Sequence, residues 1–283
     1  MPQVAYINGA YIDRQSAAVH FEDRGYQFSD GVYEVILIRE DRLIDAEPHL
    51  ARLVRSLDAI EIAQPCSMNA LNCIVEETRR RNRVSDGIIY MQVTRGVAAR
   101  DHVFPKAAKP SLVCSAKRRR WPTPGAAPKG VKAITTPDER WARCDIKSVG
   151  LLANVLAKEK ARRAGAGEAI FVSNDGVVRE GGSSNLYIVD EAGVVWTHPL
   201  GPEILGGVTR ATVLDLAEKA QIRVRQEPFD VEKLLSATEA FVTSATSFVK
   251  PILAVDGKTI GDGVVGPVAR RLYADYEGYT LAK

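Results

Sequence analysis

Arg143-Cys144-Asp145-Ile146-Lys147-Ser148-Val149-Gly150-Leu151-Leu152 sets one lysine, Lys147, inside an apolar run that leads into a helix. Past it, Leu151, Leu152, Val155, Leu156 and Ala161 recur at helical spacing, while Lys158, Glu159, Lys160, Arg162 and Arg163 fall mostly on the other side. The spacing predicts a core-packed helix entered from a strand or loop that carries Lys147. Burial there disfavours the ammonium form and leaves a neutral amine able to attack a carbonyl and form a Schiff base. The same stretch also fits a lysine at a helix start that lays its stem on apolar surface and keeps its head in water. The rest of the chain must decide between the two.

Toward the amino terminus, Val4-Ala5-Tyr6-Ile7, Asn8-Gly9 and Ala10-Tyr11-Ile12 read as a hairpin, because Asn-Gly supplies the positive φ angles of a two-residue turn. Gly31 to Arg39 reads as a strand that returns through Glu40-Asp41-Arg42 to Leu43-Ile44. Two amphipathic helices follow. One starts near Asp45 with Leu50, Leu53, Val54, Leu57 and Ile60 on a face; the other starts at Ser67, buries Leu71, Ile74 and Val75, and ends in arginines that complement the helix dipole. Gly87 to Arg95 and Ser111 to Ser115 read as further strands. Strands with helices beside them predict an α+β fold. Pro122, Pro124, Gly125 and Pro128 crowd together, which predicts domains at 1–118 and 131–283 joined by a linker at 119–130. Beyond it come strands at 168–173, 186–189 and 240–243 and helices near 208–220, 230–236 and 266–277.

With 283 residues, 46% hydrophobic and 26% charged, the chain has the composition of a globular protein, and its net charge of +3 does not argue for a nucleic acid or an anionic membrane. Lys117-Arg118-Arg119-Arg120 reads as a solvated face. Four cysteines without a Cys-x-x-Cys pair and four scattered histidines suggest neither a disulfide framework nor a metal site, and the expectation is reduced, buried thiols. No apolar run approaches the ~20 residues of a membrane span, and no basic segment precedes an apolar one at the start. The expected location is the cytoplasm.

Four clusters can carry chemistry. Gly206-Gly207-Val208-Thr209-Arg210 is a glycine-rich helix entry whose free N–H groups suit a phosphate, or simply turn the chain. Thr243-Ser244-Ala245-Thr246-Ser247 offers hydroxyls after a strand. Arg179-Glu180-Gly181-Gly182-Ser183-Ser184-Asn185 puts a carboxylate on a small-residue turn, where it either keeps a pyridinium nitrogen protonated or lies exposed on a hairpin. Arg100-Asp101-His102 lies in a polar loop, and a guanidinium fork with a second donor suits a carboxylate. Gly261-Asp262-Gly263-Val264-Val265-Gly266 matches a dinucleotide fingerprint, yet too few residues remain for a βαβ unit.

In this order the clusters resemble the fold-type IV pyridoxal-phosphate aminotransferases, and among them the bacterial D-amino-acid aminotransferases. The likeness rests on Arg24-Gly25-Tyr26-Gln27-Phe28-Ser29-Asp30-Gly31-Val32-Tyr33-Glu34-Val35, Asp145-Ile146-Lys147-Ser148, Glu180-Gly181-Gly182-Ser183-Ser184-Asn185 and Gly206-Gly207-Val208-Thr209-Arg210. It implies a smaller N-terminal α/β sandwich, a larger C-terminal β-barrel-like domain flanked by helices, a homodimer, and D-amino acid and 2-oxo acid substrates. It also implies that Lys147 carries pyridoxal 5'-phosphate and moves the α-proton, and that Glu180 pairs with the pyridine nitrogen. Arg52, Val208, Thr209 and Thr246 would hold the phosphate, and Tyr33, Arg100 and His102 the substrate carboxylate. Ser29 stands where glycine is more usual, in what reads as a loop. Ala245 stands where relatives often have a threonine, which leaves Ser244 or Thr246 as the hydroxyl. A branched-chain or (R)-amine aminotransferase or an aminodeoxychorismate lyase shares the fold, but an amine without a carboxylate gives Arg100 and His102 no partner. A phosphate-binding module without chemistry is the alternative from another class.

Overall fold

The computed structural model describes residues 3–282; Met1, Pro2 and Lys283, at the ends of the two expected domains, lie outside the described residues. The chain divides into two compact units, Met1–Trp121 with Ile146–Gly150, and Pro122–Asp145 with Leu151–Lys283. The segment around Lys147, placed by the sequence reading beyond residue 131, therefore counts with the first unit.

The first unit opens with β1 (Val4–Ile7) and β2 (Ala10–Asp13), joined by Asn8 and Gly9 at φ 47° and 101°. Then come α1 (Arg24–Phe28), β3 (Gly31–Arg39), β4 (Arg42–Ile44), α2 (Ala46–Ala59), α3 (Met68–Arg81), β5 (Gly87–Thr94) and β6 (Ser111–Arg118). The six strands form an antiparallel sheet in the order β2-β1-β6-β5-β3-β4. Strand alternation sends Val32, Ile36 and Ile38 to a core filled by Leu50, Leu53 and Leu57 of α2 and Leu71 and Val75 of α3, and Ile146 joins the same core. The Oγ of Ser67 accepts from Ala70 N at 3.3 Å and caps α3. The loop expected at Ser29 is instead the end of α1: Ser29 takes φ 58°, a left-handed conformation that glycine enters without a Cβ penalty.

The second unit contains β7 (Val131–Pro137), α4 (Leu152–Arg163), β8 (Glu168–Val172), β9 (Val177–Gly181), β10 (Ser184–Val189), β11 (Val195–Thr197) and α5 (Val208–Lys219). It continues with β12 (Val224–Gln226), β13 (Phe229–Asp230), α6 (Val231–Leu235), β14 (Glu239–Ser244), β15 (Phe248–Val255), β16 (Lys258–Thr259) and α7 (Pro267–Leu281). Six strands close on themselves in the order β10-β14-β15-β7-β8-β9, with β9 pairing back to β10. Strand β7 runs parallel to both its neighbours, and the other pairs in the ring are antiparallel. Closure removes the open edges that an unpaired sheet would expose. The fold is thus α+β, with a sandwich and a barrel flanked by helices.

Helix α4 departs from the reading of its sequence. Leu152, Val155 and Leu156, expected in the core, are 72%, 59% and 58% exposed, and Ala157 and Ala161 are the buried residues. Those two alanines, one helical turn apart, pack against Ala169 and Phe171 of β8. A small-residue stripe lets the helix backbone sit close to the barrel, which turns the large side chains outward. The thiols also differ: Cys114 and Cys144 are buried, but Cys66 is half-buried and Cys73 exposed, all four unpaired. Leu53, 1% exposed in the first core, supplies the test of that core. Leu53→Ala is expected to lose about 2–5 kcal/mol in denaturant unfolding; a loss below about 1 kcal/mol would place Leu53 outside it.

Candidate active site

Lys147 lies in a loop held against the start of β3. Its carbonyl accepts from Tyr33 N at 3.0 Å, its own N–H donates to Ser56 Oγ at 3.3 Å, and Val149 N donates to Gly31 O at 3.0 Å. The side chain is half-buried rather than enclosed in the core, and its Nζ stands 4.3 Å from the centroid of the Tyr33 ring. Tyr33 in turn lies 5.8 Å from the Tyr90 ring. The two tyrosines are diagonal neighbours on adjacent strands, since Tyr33 pairs with Gln92. Burial pushes the Tyr90 phenol up to about 12, and its hydroxyl donates to Gln92 Oε1 at 2.6 Å.

One residue along β3, Glu34 points to the opposite face and is fully buried under α2. Arg52 donates to it through Nε at 2.7 Å and Nη2 at 2.8 Å, and His49 Nδ1 lies 2.7 Å from one of its oxygens. Burial alone would raise this carboxyl, but the bonds and charge of Arg52, with His49 behind them, hold it at about 2. Arg52, expected at a phosphate, is thus oriented by a buried carboxylate. Neither Glu34 nor His49 was singled out in the sequence; a glutamate inside the apolar run of β3, with His49 and Arg52 three apart on α2, was the available signal.

Arg100 and His102 are both exposed and gather around Phe28 of α1, with the Arg100 guanidinium 4.9 Å from its ring centroid and the His102 ring at 5.4 Å. Arg24 fixes their loop by donating to Asp101 O at 2.6 Å. The structure brings Tyr33 to Lys147 and Arg100 to His102, two groups built on different elements.

In the second unit Glu180, expected as a lone carboxylate on a turn, is instead 5% exposed in strand β9 and has several partners. Alternation places it on the buried side with Val178, and the turn begins only at Gly182. Arg140 Nη1 pairs with its Oε1, Asn185 Nδ2 donates to Oε2 at 3.1 Å, and Leu205 N lies 3.2 Å from Oε2. Asp138 and Arg140 carried no signal in the sequence. Asn185 also donates to Leu205 O at 2.8 Å, and a Cβ at Gly207 would overlap its Oδ1. Glycine is therefore required at Gly207, the N-cap of α5, and it gives the helix no side-chain acceptor for its first N–H groups. Val208 and Thr209 open that helix, both buried, and Thr209 Oγ1 lies 3.5 Å from the hydroxyl of Tyr276. Tyr276 packs edge-on to Phe248, which follows the hydroxyl turn. In that turn Thr246 Oγ1 is 3.5 Å and Ser247 Oγ 2.6 Å from Ser244 Oγ. A buried carboxylate can accept from a protonated ring nitrogen, and a helix start without a capping side chain and a hydroxyl turn can donate to a phosphate.

Among the described residues no helix is long and apolar enough to cross a membrane. The sequence matches the amino-transferase class IV family over residues 31–255. It is 41% identical over 275 residues to a D-alanine aminotransferase of Staphylococcus haemolyticus, covering 97% of this chain and 96% of that one. A D-alanine aminotransferase of Bacillus licheniformis is 41% identical over 276 residues, 98% and 96% of the two chains. Among solved structures, the branched-chain aminotransferase of the thermophilic archaeon Thermoproteus uzoniensis with norvaline aligns with a TM-score of 0.87 at 25% identity, over 100% of this chain and 96% of that chain. A branched-chain amino acid aminotransferase with pyridoxamine 5'-phosphate aligns over the same shares of the two chains with a TM-score of 0.91, again at 25% identity.

The depressed carboxyl of Glu34 makes stability depend on pH. Its contribution is fully present above the unfolded value of 4.5 and is lost as pH falls toward the folded value of about 2. Urea unfolding from pH 6 to pH 2.5 is expected to show wild type losing on the order of 2–3 kcal/mol more than Glu34→Gln. Equal slopes would reject the ion pair as the cause.

Proposed function

Because the chain belongs to the class IV aminotransferase family, we propose that it transfers the amino group of a D-amino acid of the alanine or glutamate class to a 2-oxo acid, using pyridoxal 5'-phosphate. The observation that carries this reading is Lys147 Nζ standing over Tyr33, in a chain so like D-alanine aminotransferases along its whole length. Bound pyridoxal phosphate supplies a carbonyl carbon for the amino group and a ring that draws electrons from the α-carbon.

The remaining work falls to side chains. Lys147 attaches the cofactor and carries the proton to and from the α-carbon, a task suited to an amine held by backbone bonds on both sides. Glu180 would pair with the pyridine nitrogen. Arg52, the opening N–H groups at Val208 and Thr209, and the hydroxyls of Thr209 and Thr246 take the phosphate. Tyr33, Arg100 and His102 take the substrate carboxylate. We assign the working form to a homodimer in the cytoplasm.

Fixing the carboxylate and the nitrogen leaves one direction for the α-hydrogen, and only one hand of amino acid turns it toward Lys147. With this trap the hand is D. A panel of D- and L-amino acids with pyruvate and 2-oxoglutarate as acceptors tests it, and preference for L-leucine or L-isoleucine would move the branched-chain reading ahead. Lys147→Ala should fold yet lose turnover and the absorption band of the attached cofactor; near wild-type turnover would reject the lysine. Arg100→Ala gives up a charge-assisted contact of about 1.5–3 kcal/mol, so kcat/KM for D-alanine should drop roughly ten- to more than a hundredfold. Unchanged D-alanine kinetics would remove Arg100 from the trap.

A further inference from the structure

Glu180 does not stand alone in the barrel; it is the last member of a charged chain of three. Arg140 turns its Nε and Nη2 edge to Asp138, at 2.8 Å to each oxygen, and Nη2 also donates to Glu203 O at 3.1 Å. The guanidinium lies 4.3 Å from the ring centroid of Phe171, itself 1% exposed, so its plane is fixed from below. Only the Nη1 corner reaches Glu180.

This geometry settles two opposing effects. Burial drives a carboxylate such as Glu180 toward its protonated form, and neutral donors such as Asn185 and Leu205 N–H oppose this less than a charge does. A guanidinium beside it is permanently charged and keeps it ionised. The same guanidinium would cancel that charge were it unshared. Asp138 prevents this by taking the two-pronged edge, so the three groups together carry one net negative charge. Asp138 is itself held below the usual carboxylate range, against burial, by its bonds to Arg140. Of the other charged groups nearby, Arg210 also acts on Glu180 through its charge, but only Arg140 is seen in an ion pair with it. Arg179 of β9 is partly exposed and reaches Asp138 at 3.8 Å, Arg210 of α5 donates to His198 O and Gln226, and burial pushes the Cys144 thiol up to about 11, leaving it neutral.

We propose that Arg140, anchored by Asp138, is the positioning residue that keeps Glu180 ionised and thereby keeps the ring nitrogen of bound pyridoxal phosphate protonated. The proposal rests on the reading of Glu180 as the partner of that nitrogen.

The direct measurement is the ¹⁵N shift of ring-labelled pyridoxal phosphate in the assembled enzyme at pH 7.5, alongside kcat, KM and cofactor retention. Wild type and Arg140→Lys should show a protonated nitrogen, and Arg140→Met an unprotonated one. With Arg140→Met, kcat should fall roughly ten- to a hundredfold while KM and cofactor retention change less than about threefold. Glu180→Gln separates the two levels of the argument. If its nitrogen stays protonated, the reading of Glu180 itself fails; if it loses the proton and Arg140→Met does not, the proposal alone is overturned. Should Arg140→Met not fold, Asp138→Asn takes its place: it leaves Arg140 unshared and should lower the pH at which the ring gives up its proton. An unchanged pH there would equally overturn the proposal. A purely structural Arg140 would shift the melting temperature and leave the ¹⁵N signal where it is.

Discussion

Two backbone hydrogen bonds, Tyr33 N to Lys147 O and Val149 N to Gly31 O, tie a loop to the first strand residues of β3. Everything proposed for Lys147 depends on them. They draw Ile146–Gly150 into the first unit although the chain on either side belongs to the second. Ile146 is then buried in the sandwich core, and its neighbour Lys147 is left at the rim with its amine over the Tyr33 ring. Backbone bonds fix this better than side-chain contacts, because they position the lysine without using its amine.

Strand alternation does the rest on that side. Tyr33 and Glu34 are adjacent, so one faces Lys147 and Tyr90 while the other drops under α2 to meet Arg52 and His49. A shift of one residue in register would exchange the aromatic ring and the buried carboxylate. The eight paired residues between β3 and β5, from Gly31 with Thr94 to Ile38 with Gly87, hold that register.

Much of this was legible in the sequence, for reasons that can be named. The Asn8-Gly9 turn, β3, β5 and the leucine faces of α2 announce themselves because their apolar period matches the element that forms. Strand β9 did not, because Glu180 breaks its apolar pattern and the glycines after it read as a turn from the outset. Strand β15 was hidden by Lys250 and Pro251, which interrupt an otherwise apolar run. In α4 the period was right and the face wrong: periodicity finds a stripe, but it does not say whether leucines or alanines are pressed against the sheet. Of the candidate site, Lys147 and Glu180 were visible through their motifs. Asp138 and Arg140 were not, since a charged pair in a polar stretch looks the same whether it is solvated or buried against a carboxylate.

Asn185 gives the barrel a property of its own. One amide holds Glu180 with its nitrogen, bonds Leu205 O with the same nitrogen, and with its oxygen forbids any side chain at Gly207, where α5 begins. The carboxylate and the helix start are therefore parts of a single rigid joint. In evolutionary terms they are not separate traits: a substitution that re-aims one drags the other with it.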